Sequence, residues 1–414
     1  MTVSPARRAA YEVVRRAFEE RAYADRAFRS AAEGLDERDR AFAMQLAYGT
    51  VQRVRTLDYA IETLARRPLR KLDPPVRTAL RLGAYQLGFL ANVPAHAAVD
   101  EGVELVRAAG LGRAVAFANA VLRRLAAGLR DLLAALPDAT PGEAALKHSY
   151  PDWVAEAWWR ELGREDALAL MQSQNEPAET VVRVNPRRAG DLPGERYPDL
   201  PNALRLSQVS SEWLERGLVW PQSAASQLAG LAVGVGPGER VLDLCAAPGG
   251  KATQLAETAA EVVAVEKHAG RARELAANTE RLGVGNVTVV NADALALPGD
   301  LRGFDRALVD APCSGLGVLA SRPDLRWRAE PLPDLQLELL HSAIERVRPG
   351  GTVTYAVCTI HKAENEDVVD ALGLPVDDLG AGWPRYAHLR RPEFLLTLPH
   401  VHRGSGFFVA RMRV

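Results

Sequence analysis

Two cysteines stand where the sequence predicts reactive side chains. Cys313 lies in the run Asp-Ala-Pro-Cys-Ser-Gly at 310–315, and Cys358 lies in the run Tyr-Ala-Val-Cys-Thr at 355–359. A lone cysteine is usually a small buried hydrophobic residue. Two cysteines that each follow a predicted strand, on the edge where a parallel sheet binds ligands, instead favour nucleophilic chemistry.

A third run has the composition of a cofactor-binding turn. Residues 245–251, Cys-Ala-Ala-Pro-Gly-Gly-Lys, follow a predicted strand and open a helix. Glycines let a ligand approach the backbone, and a helix start presents free N–H groups. Glu266 ends the next strand, where a carboxylate suits two ribose hydroxyls. Asp293 ends the third strand, where it suits an adenine amino group. The alternative is a tight turn with exposed acids, and the missing G-x-G-x-x-G pattern argues against a dinucleotide.

Paired cysteines and an electrophilic methyl group suit reaction at C5 of cytosine. A thiolate that adds to C6 turns the ring into an enamine, so that C5 attacks the methyl group. A base then removes the C5 proton and the thiolate leaves. The target base must be unstacked or single-stranded, and a cation or helix start should lower the pKa of the thiol. The residues alone do not decide which cysteine attacks.

Strand–helix alternation from about residue 211 must position these motifs. Strand-like runs at 240–244, 262–265, 287–290, 306–309, 352–357 and 407–412 alternate with helical runs at 251–258, 271–281, 335–347 and 364–372. Alternation of this kind predicts a parallel sheet with helices on both faces. We therefore expect a Rossmann-like catalytic domain over 211–414, preceded by a small α/β connecting subdomain over 138–210 with a strand at 180–184.

The first 137 residues are predicted to be helical, and they are basic. Residues 1–130 hold 22 Lys and Arg against 14 Asp and Glu, whereas the remaining residues hold 29 against 38. A basic block predicts a polyanionic partner, although a chance division of surface charge is an equal alternative. The chain of 414 residues is 48% hydrophobic and 25% charged, which excludes collagen-like and wholly disordered classes.

Targeting and metal signals are missing from the sequence. The first residues lack an apolar signal-peptide core, and the chain has no run of 18 apolar residues. The three cysteines form no C-x-x-C pair, so neither a disulfide framework nor a zinc site is predicted. We expect a cytoplasmic protein without membrane or metal.

Taken together, the runs at 245–251, 310–315 and 355–365 resemble the NOL1/NOP2/Sun group of RNA cytosine-C5 methyltransferases, over about residues 145–414. The helical block resembles the NusB-type RNA-binding domain in Leu-Gly-Ala-Tyr-Gln-Leu at 82–87 and Phe-Ala-Asn-Ala-Val-Leu at 117–122. The resemblance implies a multi-domain protein, with an all-α NusB-like domain ahead of an α/β Rossmann-like methyltransferase domain.

The same resemblance implies a cofactor, a substrate and a target. The cofactor is S-adenosylmethionine, and the target is C5 of a cytosine in 16S rRNA, at the position named 967 in this family. The substrate is the rRNA or a small-subunit assembly intermediate, and the protein is expected to act as a monomer. Two alternatives stay open: a transfer-RNA cytosine-C5 methyltransferase, and an inactive RNA-binding assembly factor.

Residue roles follow from the resemblance, position by position. Cys358 matches the nucleophile, Cys313 assists product release, and Asp310 lies close to the base. Lys251 supports the active site or is, alternatively, a solvated lysine at a helix end. Relatives often have Thr before the nucleophile, where this chain has Val357. The expected cofactor-binding residues are Cys245, Ala246, Ala247, Pro248, Gly249, Gly250, Lys251, Glu266, Asp293 and Asp310.

A loop after the second motif combines guanidinium groups with an aromatic ring. Arg322, Arg326, Trp327 and Arg328 suit phosphate contact and base stacking, so we expect them to bind RNA. The alternative is a packed tryptophan beneath a charged surface loop.

Overall fold

In the computed structural model, which describes residues 3–414, the chain forms two compact units. The first unit comprises the residues up to Asn175 together with Leu319–Arg328. The second comprises Glu176–Val318 and Ala329–Val414. The predicted connecting subdomain at 138–210 is thus divided between the units. Its helices pack on one another and on the N-terminal helices, whereas its strands form a sheet of the second unit.

The first unit is all-helical in its described part, and the sequence predicts this for its first 137 residues. Pro5 is the first residue of its first helix, where a missing amide N–H costs no helical hydrogen bond. The apolar residues Ala6, Ala9, Ala10, Val13 and Val14 of this helix are buried in the core of the unit. The helices are α1 Pro5–Glu19, α2 Ala24–Ala31, α3 Glu37–Gln52, α4 Val54–Ala65, α5 Pro74–Phe89, α6 Ala95–Ala108, α7 Val115–Ala134, α8 Pro141–His148, α9 Asp152–Leu162 and α10 Arg164–Ser173.

Short 3-10 helices complete this unit. The segment Pro323–Trp327 forms one of them and packs on α3. Although this segment is distant in sequence from the helices around it, it is part of their packing. The ring of Trp327 contacts the helical core.

The second unit contains two sheets. Its strands are β1 Thr180–Val184, β2 Glu195–Tyr197, β3 Leu200–Leu206, β4 Val219–Pro221, β5 Arg240–Asp243, β6 Glu261–Val265, β7 Val287–Val290, β8 Phe304–Asp310, β9 Val347–Val357, β10 Leu395–Thr397 and β11 Phe407–Arg413. Its helices are α11 Ser211–Glu215, α12 Ala224–Ala232, α13 Gly250–Leu255, α14 Ala269–Leu282, α15 Pro333–Ile344, α16 Glu366–Leu372, α17 Leu379–Gly382 and α18 Pro399–His402.

The larger sheet has seven strands in the order β10-β11-β9-β8-β5-β6-β7. The five strands β5 to β9 are parallel, as the strand–helix alternation predicts. The last strand corrects the prediction of a wholly parallel sheet, because β11 pairs antiparallel with both β9 and β10. The short connection through α18 joins β10 to β11, and a connection of that length can join only antiparallel neighbours.

The smaller sheet has the order β2-β3-β1-β4, and its neighbouring strands pair antiparallel. The structure confirms the strand predicted at 180–184 as β1. Strands β2 and β4 have three residues each, which is too few to recognise an alternating apolar and polar pattern in the sequence.

The parallel strands place the predicted motifs on one edge. The run 245–251 follows β5, Glu266 follows β6, and the two cysteine runs follow β8 and β9. Adjacent pairing of these strands brings their carboxyl ends together. In the described part of the chain, no helix is long and apolar enough to cross a membrane.

Candidate functional site

The turn at 245–251 is held against the end of β6. The amide of Ala246 donates to the carbonyl of Val265 at 3.0 Å. Gly249 has φ +108, and a Cβ at this position would lie 2.6 Å from Leu275 Cδ1. Only glycine fits both the backbone angle and the space. The helix α13 then starts at Gly250, so the turn leads directly into a helix N-terminus.

Three side chains fix the carbonyl groups of this turn. Arg271 donates to the carbonyl of Ala247 at 2.6 Å, and Asn278 donates to that of Pro248 at 2.9 Å. From β1, the buried Arg183 donates to the carbonyl of Gly250 at 2.5 Å. The sequence prediction missed Arg183, although a charged residue inside the apolar run Thr-Val-Val-Arg-Val is itself a signal.

The two acids predicted to hold ribose and adenine differ in exposure. Glu266 is buried, and its carboxylate accepts from the amide of His268 at 2.8 Å. The Asp293 carboxylate is partly exposed and pairs with Lys267 Nζ at 2.7 Å. The Lys267 ammonium lowers the pKa of Asp293. Glu266 directly follows β6 as predicted, whereas Asp293 lies beyond the end of β7 at Val290, and the two acids have different environments.

Lys251 is buried rather than solvated. Its Nζ donates to Asp310 Oδ2 at 2.8 Å, and it lies 5.1 Å from the centre of the Phe407 ring. These contacts favour the predicted supporting position over a solvated helix end, because the lysine side chain is only 9% exposed. A cation and a carboxylate thus face each other at the ends of β5 and β8.

The two predicted reactive cysteines are in contact. Cys313 Sγ and Cys358 Sγ lie 3.4 Å apart. A hydrogen bond from Cys313 lowers the pKa of the Cys358 thiol, and the Lys251 cation acts in the same direction, whereas burial and the Asp310 charge oppose both. The same hydrogen bond, followed by burial and by the charges of Cys358 and Glu364, raises the pKa of Cys313. The pair thus favours a Cys358 thiolate that accepts a hydrogen bond from a Cys313 thiol.

Cys245 and Asp243 have environments that oppose ionisation. Burial, followed by the charge of Asp243, raises the pKa of the Cys245 thiol. Burial, followed by the charge of Asp310, raises the pKa of Asp243 to about 7. Cys245 is therefore a poor nucleophile compared with Cys358.

A buried glutamate that the sequence prediction left without a role lies beside the cysteine loops. Glu364 is fully buried, and its carboxylate accepts hydrogen bonds from the Ser314 amide at 3.0 Å and from Gln336 Nε2 at 3.0 Å. The available signal was its place in the Glu-Asn pair six residues after Cys358.

The loop predicted to bind RNA belongs to the first unit, and its side chains differ in burial. Arg326 is fully buried and donates to the carbonyl of Ser149 at 2.9 Å and to Asn175 Oδ1 at 3.0 Å. Trp327 Nε1 donates to the carbonyl of Val51 at 2.7 Å. Arg326 therefore offers no surface to an RNA, because its guanidinium is occupied inside the helical unit.

Arg322 and Arg328 keep exposed surface. Their side chains are 37% and 20% exposed. Their guanidinium carbons lie 5.8 Å and 4.4 Å from the centre of the exposed Tyr23 ring, and that of Arg26 lies 5.1 Å from it. RNA binding by Arg322 and Arg328 therefore stays a prediction. Tyr23 and Arg26 lie beside them and are added to the predicted RNA-binding surface.

An all-helical unit and a Rossmann-like unit with a glycine turn at the strand ends define a two-part protein of the methyltransferase class. The model of the NusB family matches residues 4–127, and that of 16S rRNA methyltransferase RsmB/F matches residues 231–413. A probable ribosomal RNA small subunit methyltransferase B of Synechocystis sp. is 34% identical, over 92% of this chain and 92% of that relative. The chain belongs to the RsmB/F family of RNA methyltransferases.

A second relative supports this family, and one solved structure shares the fold. The ribosomal RNA small subunit methyltransferase B of Thermus thermophilus is 36% identical, over 90% of this chain and 85% of that relative. The crystal structure of PH0851 is 24% identical and covers 100% of both chains with a TM-score of 0.83, which shows the shared fold.

Proposed function

We propose that the chain methylates C5 of a single cytosine in 16S rRNA, through a covalent bond between Cys358 Sγ and C6 of the base. The observation that carries this proposal is the contact of 3.4 Å between Cys313 Sγ and Cys358 Sγ, with the Lys251 cation acting on Cys358 and the Glu364 carboxylate acting on Cys313. A thiolate is the reactive form of cysteine. The asymmetry of the pair therefore favours Cys358 as the nucleophile.

The residues at the strand ends fit S-adenosylmethionine as the methyl donor. The turn at 245–251 opens onto a helix start, and the carboxylate of Glu266 follows the adjacent strand. Backbone N–H groups at a helix start suit the carboxylate of the ligand, and the acid suits its ribose hydroxyls. When bound there, the cofactor supplies an electrophilic methyl group.

The chain's own residues account for the other steps. The Cys358 thiolate forms the S–C6 bond, while the Lys251–Asp310 pair supplies a proton to the ring nitrogen that gains the displaced electron pair, and takes it back after methyl transfer. The C5 carbon gains the methyl group. Loss of the C5 proton to a base then breaks the S–C6 bond and returns the electron pair to sulfur. Cys313, in contact with Cys358, is placed to assist this last step.

The names of the relatives and the charge of the first unit support rRNA as the substrate. Relatives that match most of the chain are named ribosomal RNA small subunit methyltransferase B. Residues 1–130 carry an excess of eight positive charges. Arg322 and Arg328, together with Tyr23, offer guanidinium and aromatic surface that suits backbone and base contact. Binding should weaken steeply as salt is raised.

Methyl transfer from labelled S-adenosylmethionine tests the proposal. The acceptors are unmethylated small-subunit rRNA, the assembled subunit and bulk transfer RNA, and the modified base is mapped. A single 5-methylcytosine in the rRNA, at the position named 967 in this family, is the expected result. Label in transfer RNA alone would overturn the substrate, and failure to bind the cofactor would favour an inactive assembly factor.

Two cysteine variants test the covalent mechanism. Cys358→Ala should abolish methyl transfer, because the S–C6 bond cannot form. Cys313→Ala should accumulate a protein–RNA adduct, seen as a retarded band on a denaturing gel. If Cys358→Ala gives the band and Cys313→Ala does not, the two roles are reversed.

A further inference from the structure

We infer that Glu364 is a positioning residue that ties the Cys313 loop to the chain following Cys358 and keeps the proton of the cysteine pair on Cys313. This inference rests on the proposed function, because it concerns which of the same two cysteines holds the proton. Glu364 is separate from the turn at 245–251 and from the Lys251–Asp310 pair.

The hydrogen bonds of Glu364 connect three segments. Its carboxylate accepts from the amide and the hydroxyl of Ser314, next to Cys313. It also accepts from the Leu332 amide at 3.1 Å and from Gln336 Nε2 at 3.0 Å, at the start of α15. A buried carboxylate that receives four donors is fixed in orientation.

The backbone of Glu364 is hydrogen-bonded to the strand that leads to Cys358. Its carbonyl accepts from the Tyr355 hydroxyl at 2.6 Å, and Tyr355 lies on β9 just before Cys358. The hydroxyls of Ser314 and Thr359 are 2.8 Å apart. The residues that follow Cys313 and Cys358 are thus bonded to each other and to one carboxylate.

The charge of Glu364 also bears on the proton of the pair. Cys313 faces Cys358, Glu364 and Tyr355, and Cys358 in turn faces Asp310 and Lys251. The negative Glu364 disfavours a second negative charge on Cys313. The proton therefore stays on Cys313 while Cys358 is a thiolate, and this arrangement gives the two cysteines different roles.

The test measures the ionisation of each cysteine in the full chain without RNA or cofactor. Iodoacetamide labelling is followed against pH, and peptides are resolved by mass spectrometry. In Glu364→Gln the labelling midpoint of Cys313 should fall by about one pH unit. Ser314→Ala keeps the Glu364 charge and removes one of its donors, so the Cys313 midpoint should rise rather than fall. An unchanged Cys313 midpoint in folded Glu364→Gln overturns the inference.

A second variant covers the case in which Glu364→Gln does not fold. Gln336→Met removes one donor and leaves the Glu364 charge less compensated, so the Cys313 midpoint should rise. A midpoint that falls or does not move in Gln336→Met also overturns the inference. Because labelling needs no turnover, these results are independent of whether the rRNA is the substrate. If the cysteine variants fail the adduct test while labelling behaves as expected, the proposed function alone is wrong.

Discussion

At the scale of single residues, the site depends on which charges are compensated and which are not. Asp310 is paired with Lys251 at 2.8 Å. Asp243 is fully buried, and neither of its carboxylate oxygens has a hydrogen-bond partner among the described side-chain contacts. Of these two carboxyls at the ends of adjacent strands, Asp310 has an ion-pair partner, whereas burial favours Asp243 in its neutral form.

Lys251→Met should shift the pH dependence of methyl transfer. The lysine cation lowers the pKa of Cys358, so its loss should raise the pH of half-maximal kcat by about one unit. The measurement is kcat for the rRNA against pH at saturating cofactor. Lys147→Met removes another carboxylate-paired lysine, in the first unit, and serves as the control. An unshifted profile would mean that Lys251 does not influence the nucleophile.

Asp243→Asn should change how stability depends on pH. The pKa of Asp243 is raised to about 7, so the folded state binds a proton that the unfolded state releases near pH 4. Stability from this group is therefore present at low pH and falls as pH rises toward 7. The free energy of unfolding of Asp243→Asn, relative to that of the natural chain, should therefore increase between about pH 4 and about pH 7 and stay constant above that range.

The measurement is the urea concentration at which half of the second unit is unfolded, for the variant and the natural chain at several pH values. Unfolding is monitored by limited proteolysis with mass spectrometry. The exposed Asp300→Asn is the control. A constant difference between Asp243→Asn and the natural chain across the window would contradict the raised pKa.

At the scale of elements, the two cysteine loops are held by tight backbone contacts. The Gly317 amide donates to the Cys358 carbonyl at 3.0 Å, and the Gly317 carbonyl accepts from the Gly406 amide at 2.7 Å. A Cβ on Gly317 would lie 2.1 Å from the Gly406 carbonyl oxygen. The end of β9, the loop after β8 and the chain entering β11 therefore meet without room for a side chain.

Gly317→Ala should disturb the nucleophile without abolishing cofactor binding. The added methyl group must displace backbone, at a cost of about 1–3 kcal/mol. A displacement of about 1 Å at Cys358 can cost on the order of a hundredfold in rate. We expect a large loss in kcat and an unchanged Kd for S-adenosylmethionine by calorimetry. Gly285→Ala, where a Cβ meets open space, is the control, and equal kcat in both variants would refute the packing argument.

The elements were more predictable than the contacts that hold them. Strands β5 to β9 and the helices between them follow from apolar runs, and the motifs fall at the strand ends as predicted. The antiparallel pairing of β11 could not be foreseen, because periodicity carries no pairing direction. Arg183 and Glu364 act over 67 and 50 residues of sequence, on Gly250 and Ser314. No local pattern records such partners.

At the scale of the whole molecule, the chain leaves the first unit at Asn175 and returns to it for Leu319–Arg328. Arg326 makes many of the hydrogen bonds between this returning segment and the rest of the first unit. Its guanidinium donates to the carbonyls of Gln52 and Ser149 at 3.2 Å and 2.9 Å. It lies 3.9 Å from the centre of the Tyr150 ring. The sequence could not separate Arg326 from its neighbours, because burial within an arginine-rich loop has no sequence signal.

Arg326→Met should therefore destabilise the first unit and leave the intrinsic RNA contacts of the loop in place. Loss of the guanidinium leaves several buried acceptors unsatisfied, at a cost of about 2–4 kcal/mol. The urea midpoint of the first unit should fall, whereas that of the second unit should not move. Arg322→Met, with a side chain that is 37% exposed, should show the opposite pattern: unchanged stability and weaker rRNA binding with a smaller salt slope. If Arg326→Met keeps its stability and loses rRNA affinity, the buried arginine must leave its pocket to bind RNA.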